Sequence, residues 1–315
     1  MKRFAIAAVA ILGAFVLAVC LWMSFAPPAE VAATLLDLER GRSGFEVKEL
    51  TIPGFRIEYM EAGQGQPLVL LHGIAADKDH WTRVAPYLTP RFRVIAIDLP
   101  GFGESDKPMD RHYTGRDQVG YLHEIAGALG LTSFHLGGNS MGGMISMRYA
   151  VAYPNEVKSL WLLAPAGVGP GPGGEVFAKL KPGDRVPMFA RSVEELDATL
   201  ALVASKPPYI PGAVKRVLAD RAAADFPLHT KIFHEVNEEW AAVPLEKAVS
   251  GLQTPTRIVW GEEDRLLPVA NAEQLHAILP RSSVLRLPGI GHIPMLEAPE
   301  VVAEDYLAFV ASTPR

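Results

Sequence analysis

Short apolar runs alternate along most of the chain with longer stretches in which apolar residues recur every three or four positions. The short runs predict strands at 68–71, 92–97, 133–137, 159–163, 257–260 and 284–287. The longer stretches predict helices at 116–129, 141–153, 270–279 and 299–311. Runs that are apolar throughout are typical of parallel strands buried on both faces. The pattern therefore predicts an α/β fold with a mostly parallel central sheet flanked by helices.

This alternation is interrupted between residues 168 and 245. The segment opens with the Gly- and Pro-rich stretch 169–174 and continues with amphipathic helical pieces. Strand-like texture resumes at Thr256. An inserted, mainly helical cap between two strands of the sheet explains this order better than a separate domain.

The N-terminal segment is apolar without interruption. After Lys2 and Arg3, no charged residue occurs from Phe4 to Phe25. At about 1.5 Å of rise per residue, such a run forms a helix of roughly 33 Å, which is long enough to cross a membrane. We predict an N-terminal transmembrane helix, with a removed signal peptide as the alternative. Positive charge before the helix indicates that the N-terminus is cytoplasmic and the rest of the chain lies outside the cytoplasm.

The pattern after this segment predicts a short amphipathic helix at 29–40. Two interpretations remain open: the helix packs on the catalytic domain, or it lies at the membrane surface or on a partner subunit. The second would allow a homodimer through the anchor and the juxtamembrane helix. The predicted units are a transmembrane anchor (1–26), a juxtamembrane helix and linker (27–45), a core in two parts (46–167 and 246–315) and a helical cap (168–245).

The composition excludes some classes of function. The 315 residues are 49% hydrophobic and 21% charged, which is a globular balance, and the net charge is −5. Lys and Arg are scattered, whereas a nucleic-acid-binding protein shows a basic stripe, so no nucleic-acid partner is expected. Cys20 is the only cysteine, which excludes an intramolecular disulfide. The histidines lack metal-ligand spacing, so neither a metal nor another cofactor is expected.

The strongest chemical signal is Gly-Asn-Ser-Met-Gly at 138–142. It lies where a predicted strand turns into a helix, which is the setting of a nucleophile elbow with Ser140 as the nucleophile. Glycines are needed because side chains at Gly138 and Gly142 would collide with neighbouring backbone. A serine hydroxyl is a weak nucleophile at neutral pH, so Ser140 requires a base within hydrogen-bonding reach.

Two later strands end in residues that can supply this base and orient it. Asp264 follows the strand at 257–260 with G-x-x-D spacing and fits better than its neighbours Glu262 and Glu263. His292 follows the last predicted strand. The order Ser140, Asp264, His292 is the order of a triad on this type of sheet.

The loop after the strand at 68–71 predicts an oxyanion hole. Its residue Ile74 can offer a backbone N–H, with the N–H of Met141 as the second donor. His72, Gly73 and Asn139 are further candidates for contacting the substrate, although His72 is also placed to shape the loop.

These motifs, together with Asp-Leu-Pro-Gly-Phe-Gly-Glu-Ser-Asp at 98–106, resemble the α/β-hydrolase family from about Phe45 to the C-terminus. The stretches 72–81 and 138–143 are similar to those of membrane-anchored lipases and phospholipases A of Gram-negative bacteria and of the animal membrane-bound monoacylglycerol lipase. The resemblance implies a lipid ester substrate, an acyl-enzyme on Ser140, and a location in the bacterial inner membrane with a periplasmic catalytic domain. It also implies that Asp98 braces the turn around Gly101 and Gly103.

Three alternatives share the predicted fold. One is a carbon–carbon bond hydrolase, which can carry the same nucleophile motif, and another is a general carboxylesterase. The third is a non-catalytic receptor, a class that usually lacks part of the triad. Cap residues with apolar side chains, among them Met188, Phe189, Tyr209 and Phe226, favour a lipid acyl chain as the ligand.

Overall fold

The computed structural model of the chain describes residues 2–169 and 186–313; in the N-terminal helix, side chains are described from residue 11, apart from 15 and 16. The described residues contain one eight-stranded sheet, formed by β1 (Glu46–Ile52), β2 (Phe55–Ala62), β3 (Gln66–Leu71), β4 (Phe92–Ile97), β5 (Phe134–Asn139), β6 (Val157–Leu163), β7 (Thr256–Gly261) and β8 (Ser282–Leu287). The order is β1-β2-β4-β3-β5-β6-β7-β8. Only β2 runs opposite to the other seven strands, so the predicted, mostly parallel sheet is confirmed.

The described helices are α1 (Lys2–Phe25), α2 (Pro28–Arg42), α3 (Ala85–Leu88), α4 (Gly115–Ala128), α5 (Met141–Ala152), α6 (Val193–Val203), α7 (Gly212–Ala242), α8 (Leu245–Val249), α9 (Ala270–Ile278), α10 (Pro294–Glu297) and α11 (Pro299–Ser312). Helices α4, α5, α9 and α11 coincide with the four predicted helices. One buried cluster joins the sheet to α4, α5 and α9, and a second joins it to α3 and α11. Helices therefore cover both faces of the sheet, as an α/β fold requires.

Strands β1 and β2 were not among the predicted strands. They form an antiparallel hairpin at the edge of the sheet, closed by a turn in which Gly54 has a φ of +90°. Most side chains of β1 are exposed or half-buried. Because an edge strand that faces solvent carries charged residues between its apolar ones, it lacks the continuous apolar run that marks the central strands.

The part of the predicted cap that the structure describes is mainly helical. Helices α6, α7 and α8 lie between β6 and β7, while residues 170–185, including most of the Gly- and Pro-rich stretch, lie outside the described residues. Ion pairs hold α7 on the core, with Lys107 Nζ 2.7 Å from Asp225 Oδ2 and Arg148 Nη1 3.2 Å from Glu239 Oε1.

Helix α2 packs on the catalytic domain, which is one of the two interpretations of the predicted juxtamembrane helix. Val31 and Ala32 are buried, and α2 lies against the cap helix α7. At its C-terminal end, Arg40 binds Asp79, and the Ser43 hydroxyl donates to the Thr82 carbonyl at 2.6 Å.

The N-terminal helix α1 precedes α2. Its described side chains, at 11–14 and 17–25, form only part of the apolar run from which the membrane span was predicted. Among the helices as described, none is both long and apolar enough to cross a membrane. The transmembrane helix is therefore not confirmed and stays a prediction.

Candidate active site

The predicted site residues follow strands whose carboxyl ends share one edge of the sheet. Strands β3, β5, β7 and β8 are parallel, and ligands of such sheets bind outside this edge. A cavity of about 50 Å³ lies there, and Ser140, His292, Ile74 and Met141 line it. The remaining lining is mainly apolar, with one amide side chain, that of Asn237.

Ser140 occupies a sharp turn between β5 and α5. Its φ of 54° and ψ of −119° are unusual for a residue with a side chain. The turn is held by the Ser140 N–H, which donates to the Leu163 carbonyl at 3.1 Å. A Cβ on Gly138 would lie 2.3 Å from the backbone of Gly142, and a Cβ on Gly142 would lie 2.3 Å from the Leu71 carbonyl oxygen. These distances confirm the steric reason predicted for both glycines.

Asp264 and His292 form a buried pair. His292 Nδ1 lies 2.7 Å from Asp264 Oδ2, and both side chains are nearly inaccessible to solvent. The other carboxylate oxygen, Oδ1, accepts the N–H groups of Leu266 and Leu267 at 2.8 and 2.9 Å. These two bonds fix the carboxylate plane. Because Oδ2 accepts a hydrogen bond from the Nδ1–H group, the neutral imidazole presents Nε2 as a proton acceptor.

The loop that carries His292 is held from three sides. The His292 N–H donates to the Val203 carbonyl, at the last residue of cap helix α6, at 2.8 Å. The Gly291 N–H donates to Glu297 Oε1 at 2.9 Å. From the nucleophile strand, Asn139 Nδ2 donates to the carbonyls of His292 and Leu163 at 3.0 and 2.9 Å. Asn139 therefore joins the base loop to the nucleophile elbow through its Nδ2 group.

The predicted oxyanion loop passes close over the nucleophile. A Cβ on Gly73 would lie 3.2 Å from the Cβ of Ser140, so a side chain on this residue would press against the nucleophile. Ile74 follows and lines the cavity, and Ala75 has a strained φ of 56°. Met141 begins α5, so its N–H belongs to the first turn, whose amides have no acceptor within the helix.

His72 orients this loop from a fully buried position. Burial lowers the pKa of His72, so the ring is neutral at pH 7. Its Nε2 accepts the Leu99 N–H at 3.1 Å, which leaves Nδ1 protonated to donate to the Gly73 carbonyl at 2.7 Å. In a trans peptide the C=O and the following N–H point in opposite directions. By holding the Gly73 carbonyl, His72 sets the direction of the Ile74 N–H, which is the loop-shaping role that the sequence also allowed.

A buried ion pair lies behind the oxyanion loop and was not predicted. The Asp98 carboxylate accepts hydrogen bonds from the backbone N–H of Lys78 at 2.7 Å and from Lys78 Nζ at 2.8 Å. It also accepts a hydrogen bond from the Glu104 N–H at 2.8 Å. Lys78 Nζ also pairs with Glu58 at 2.7 Å. Burial alone would lower the pKa of Lys78, but the two carboxylates raise it, so the side chain stays charged.

Asp98 has the bracing role that the sequence resemblance implied. A Cβ on Gly103 would lie 2.1 Å from Asp98 Cγ, so the turn closes directly onto the carboxylate. A lysine in a polar stretch such as 77–80 is normally a solvated residue. Only the topology, which brings β4 beside β3, places Lys78 against Asp98.

The cap contributes apolar surface to two cavities. Met188 lines the small cavity beside Ser140. Phe189 packs edge-on against Phe226, with the ring centroids 6.4 Å apart. A larger cavity of about 720 Å³ lies between α2, α6 and α7, and Tyr209, which is 86% exposed, is at its edge.

The chain is similar to known proteins along most of its length. The family model described as the alpha/beta hydrolase fold matches residues 66–299. The chain is 38% identical to Lipase 1 of Psychrobacter immobilis over 87% of each chain, and 28% identical to Monoacylglycerol lipase ABHD6 of Homo sapiens over 79% of this chain and 77% of that protein. Among solved structures, a membrane phospholipase A that is a bacterial virulence factor matches with a TM-score of 0.86 and 37% identity, over 99% of this chain and 98% of that one. These similarities confirm the resemblance inferred from the motifs.

Proposed function

Because the chain belongs to the α/β-hydrolase fold family, we propose that it is a serine hydrolase that cleaves carboxylic esters of lipids through an acyl-enzyme on Ser140. The observation that carries the proposal is the buried His292–Asp264 hydrogen bond, made at the cavity that Ser140 also lines. A non-catalytic receptor has no need to keep a histidine oriented in this way.

The reaction proceeds in two halves. His292 Nε2 removes the proton of Ser140 while Oγ attacks the ester carbonyl, and Asp264 stabilises the resulting imidazolium. The N–H groups of Ile74 and Met141 donate to the oxyanion. The tetrahedral intermediate collapses, His292 protonates the departing alcohol, and the acyl group stays on Ser140. Water, activated by His292, then attacks the acyl-enzyme and releases the carboxylic acid and free Ser140.

The substrate class is a lipid ester such as a monoacylglycerol, a lysophospholipid or a phospholipid. Support comes from the mainly apolar lining of the cavity at Ser140, in which Met188, Phe233 and Trp240 of the cap take part. The similarity to Lipase 1 of Psychrobacter immobilis and to the membrane phospholipase A points to the same class.

Hydrolysis assays on the detergent-extracted chain test this proposal. We expect the wild type to hydrolyse p-nitrophenyl butyrate and at least one lipid of a panel of monoacylglycerols, lysophospholipids and phospholipids. Ser140→Ala should lose all activity, whereas Ser312→Ala, which removes an exposed hydroxyl on α11, should retain it. Hydrolysis of a dienone diketo-acid in preference to every ester would instead favour the carbon–carbon bond hydrolase, and full activity of Ser140→Ala would refute the nucleophile.

We also propose that residues 1–26 anchor the enzyme in the bacterial inner membrane, with the N-terminus cytoplasmic and the catalytic domain periplasmic. The uncharged run after Lys2 and Arg3 supports this, and release of a processed, secreted chain is the alternative. Protease added to spheroplasts should digest the catalytic domain, and intact mass should show an unprocessed N-terminus. A chain that begins after residue 26 and is soluble would contradict the anchor.

This proposal includes the predicted division into anchor, juxtamembrane helix, two-part core and cap. It also includes a homodimer that forms through the anchor and α2. Cys20 is exposed on α1 and offers a direct probe. A bismaleimide should cross-link two copies in membranes and leave Cys20→Ser monomeric. Absence of any cross-linked species at several linker lengths would contradict a dimer through the anchor.

A further inference from the structure

The oxyanion loop is held on its outer side by Arg40, a residue of helix α2. Arg40 donates from Nε to Asp79 Oδ1 at 2.7 Å and from Nη2 to Asp79 Oδ2 at 2.6 Å. This two-point arrangement fixes both the distance and the angle between the side chains. Each side chain is only 15% exposed, so solvent screens the pair less than it screens an ordinary surface ion pair.

Asp79 lies in a short 3-10 helix, Lys78–Trp81, which continues the oxyanion loop. The Asp79 N–H donates to the carboxylate of Asp77, and so ties the helix to the end of the loop. The preceding residue, Lys78, is fixed from the inner side by the buried Asp98 carboxylate. The segment is therefore clamped between Asp98 inside and Arg40 outside.

The loop needs such restraint because its backbone is strained. Ala75, next to the proposed oxyanion donor Ile74, has a φ of 56°. A residue with a side chain keeps this conformation only where its surroundings impose it, at a cost of roughly 1–3 kcal/mol. If the restraint is removed, the loop can relax and the Ile74 N–H can turn away from the oxyanion.

We propose that Arg40 is a positioning residue of the oxyanion hole, which fixes from helix α2, through Asp79, the loop that carries the Ile74 amide. The inference rests on the proposed esterase function. It gives helix α2 a part in catalysis, because the packing of α2 on the domain and the alignment of the oxyanion donor depend on the same ion pair.

The test compares Arg40→Gln, Arg40→Lys and the charge-exchanged double variant Arg40→Glu/Asp79→Arg in the full chain with p-nitrophenyl butyrate. We expect Arg40→Gln to lower kcat about tenfold with KM within twofold of the wild type, since a small misplacement of a donor affects the transition state most. Arg40→Lys keeps the charge but loses the two-point geometry, so its kcat should lie between those of the wild type and Arg40→Gln. The double variant should recover part of kcat.

A trifluoromethyl ketone with an alkyl chain separates positioning from a purely structural role. Its adduct with Ser140 places an oxyanion in the hole, so its affinity should fall in parallel with kcat. The matched control is Arg83→Gln, which removes another arginine that links α2 to the core, through Glu39 at 3.3 Å. This control should change neither kcat nor ketone affinity.

Three results would overturn the inference. The first is an Arg40→Gln enzyme that melts earlier but keeps kcat and ketone affinity. The second is an equal loss of kcat in Arg83→Gln, which would assign the effect to loosening of α2 in general. The third is a double variant with no more activity than Arg40→Gln. A wild type without esterase activity would instead refute the proposed function, so the two failures are distinguishable.

Discussion

Replacement of Asp264 by asparagine should inactivate the enzyme by reversing the proton arrangement of His292. Oδ1 of Asp264 already accepts two backbone N–H groups, from Leu266 and Leu267. The asparagine must therefore place its oxygen at this position and its NH₂ group towards His292. An NH₂ group donates, so Nδ1 of the ring must accept and the proton must move to Nε2. The nitrogen that faces Ser140 then cannot take its proton.

The size of the effect separates this explanation from simple loss of a contact. Loss of one charge-assisted hydrogen bond costs about 1.5–3 kcal/mol, which corresponds to roughly a 10- to 150-fold decrease in kcat. Holding the base in the wrong tautomer costs on the order of 10⁴-fold, or about 5.5 kcal/mol. The two backbone bonds to Oδ1 prevent the asparagine from turning over, so we expect the larger value.

Steady-state hydrolysis of p-nitrophenyl butyrate measures this decrease, and circular dichroism confirms that the variant is folded. The matched control is Glu263→Gln, which neutralises the neighbouring carboxylate; Glu263 accepts the Ser205 hydroxyl at 2.9 Å at an exposed position. The control should stay within about twofold of the wild type, as expected for an exposed pair. An Asp264→Asn enzyme with kcat within 100-fold of the wild type would refute the tautomer argument.

Three further predictions concern the elbow, the base loop and pH. Gly142→Ala should lower the free energy of unfolding by about 3 kcal/mol, measured in urea, because its Cβ would collide with backbone. The control is Gly120→Ala in α4, where a Cβ meets open space, and it should raise the free energy of unfolding by about 1 kcal/mol. Equal effects of the two substitutions would contradict the steric explanation. Asn139→Ala should lower kcat about tenfold without raising KM. Asn139→Asp should lower kcat at least as much, since a carboxylate cannot donate to the His292 carbonyl. A change confined to KM would favour a substrate contact by Asn139. Burial lowers the pKa of His135 to about 4, so the unfolded chain binds a proton that the folded chain excludes, and the unfolding free energy should fall as pH drops from about 6.5 towards 4. Between pH 7.5 and 5, the free energy of unfolding should fall by about 2 kcal/mol less in His135→Gln than in the wild type. An equal fall in the two proteins would contradict the role given to His135.

The sequence predicted the parts of the fold that carry a strong periodic signal. Buried parallel strands such as β4 and β6 read as mainly apolar runs, and the helix after Ser140 begins where the glycine pattern places it. The edge hairpin of β1 and β2 was missed because its exposed face carries charged residues. Helix α2 was predicted, but its contact with the cap helix α7 was not, because packing between distant segments leaves no local pattern.

The candidate site shows a similar division. Ser140, Asp264 and His292 could be named because each follows a strand in a motif of recognisable spacing, and the structure places Ser140 and His292 at one cavity with Asp264 bound to the ring. The candidates His72 and Asn139 could not be assigned from type alone, since a buried polar side chain serves either a ligand or the backbone. Their partners in the structure are backbone groups.

Chemical identification of the nucleophile tests the proposed mechanism at its centre. The full chain is treated with a fluorophosphonate, and the modified residue is identified by intact mass and peptide mapping. We expect a single adduct on Ser140, absent from Ser140→Ala and formed far more slowly in Asp264→Asn. Ester hydrolysis by an enzyme that is modified elsewhere, or not modified at all, would contradict it.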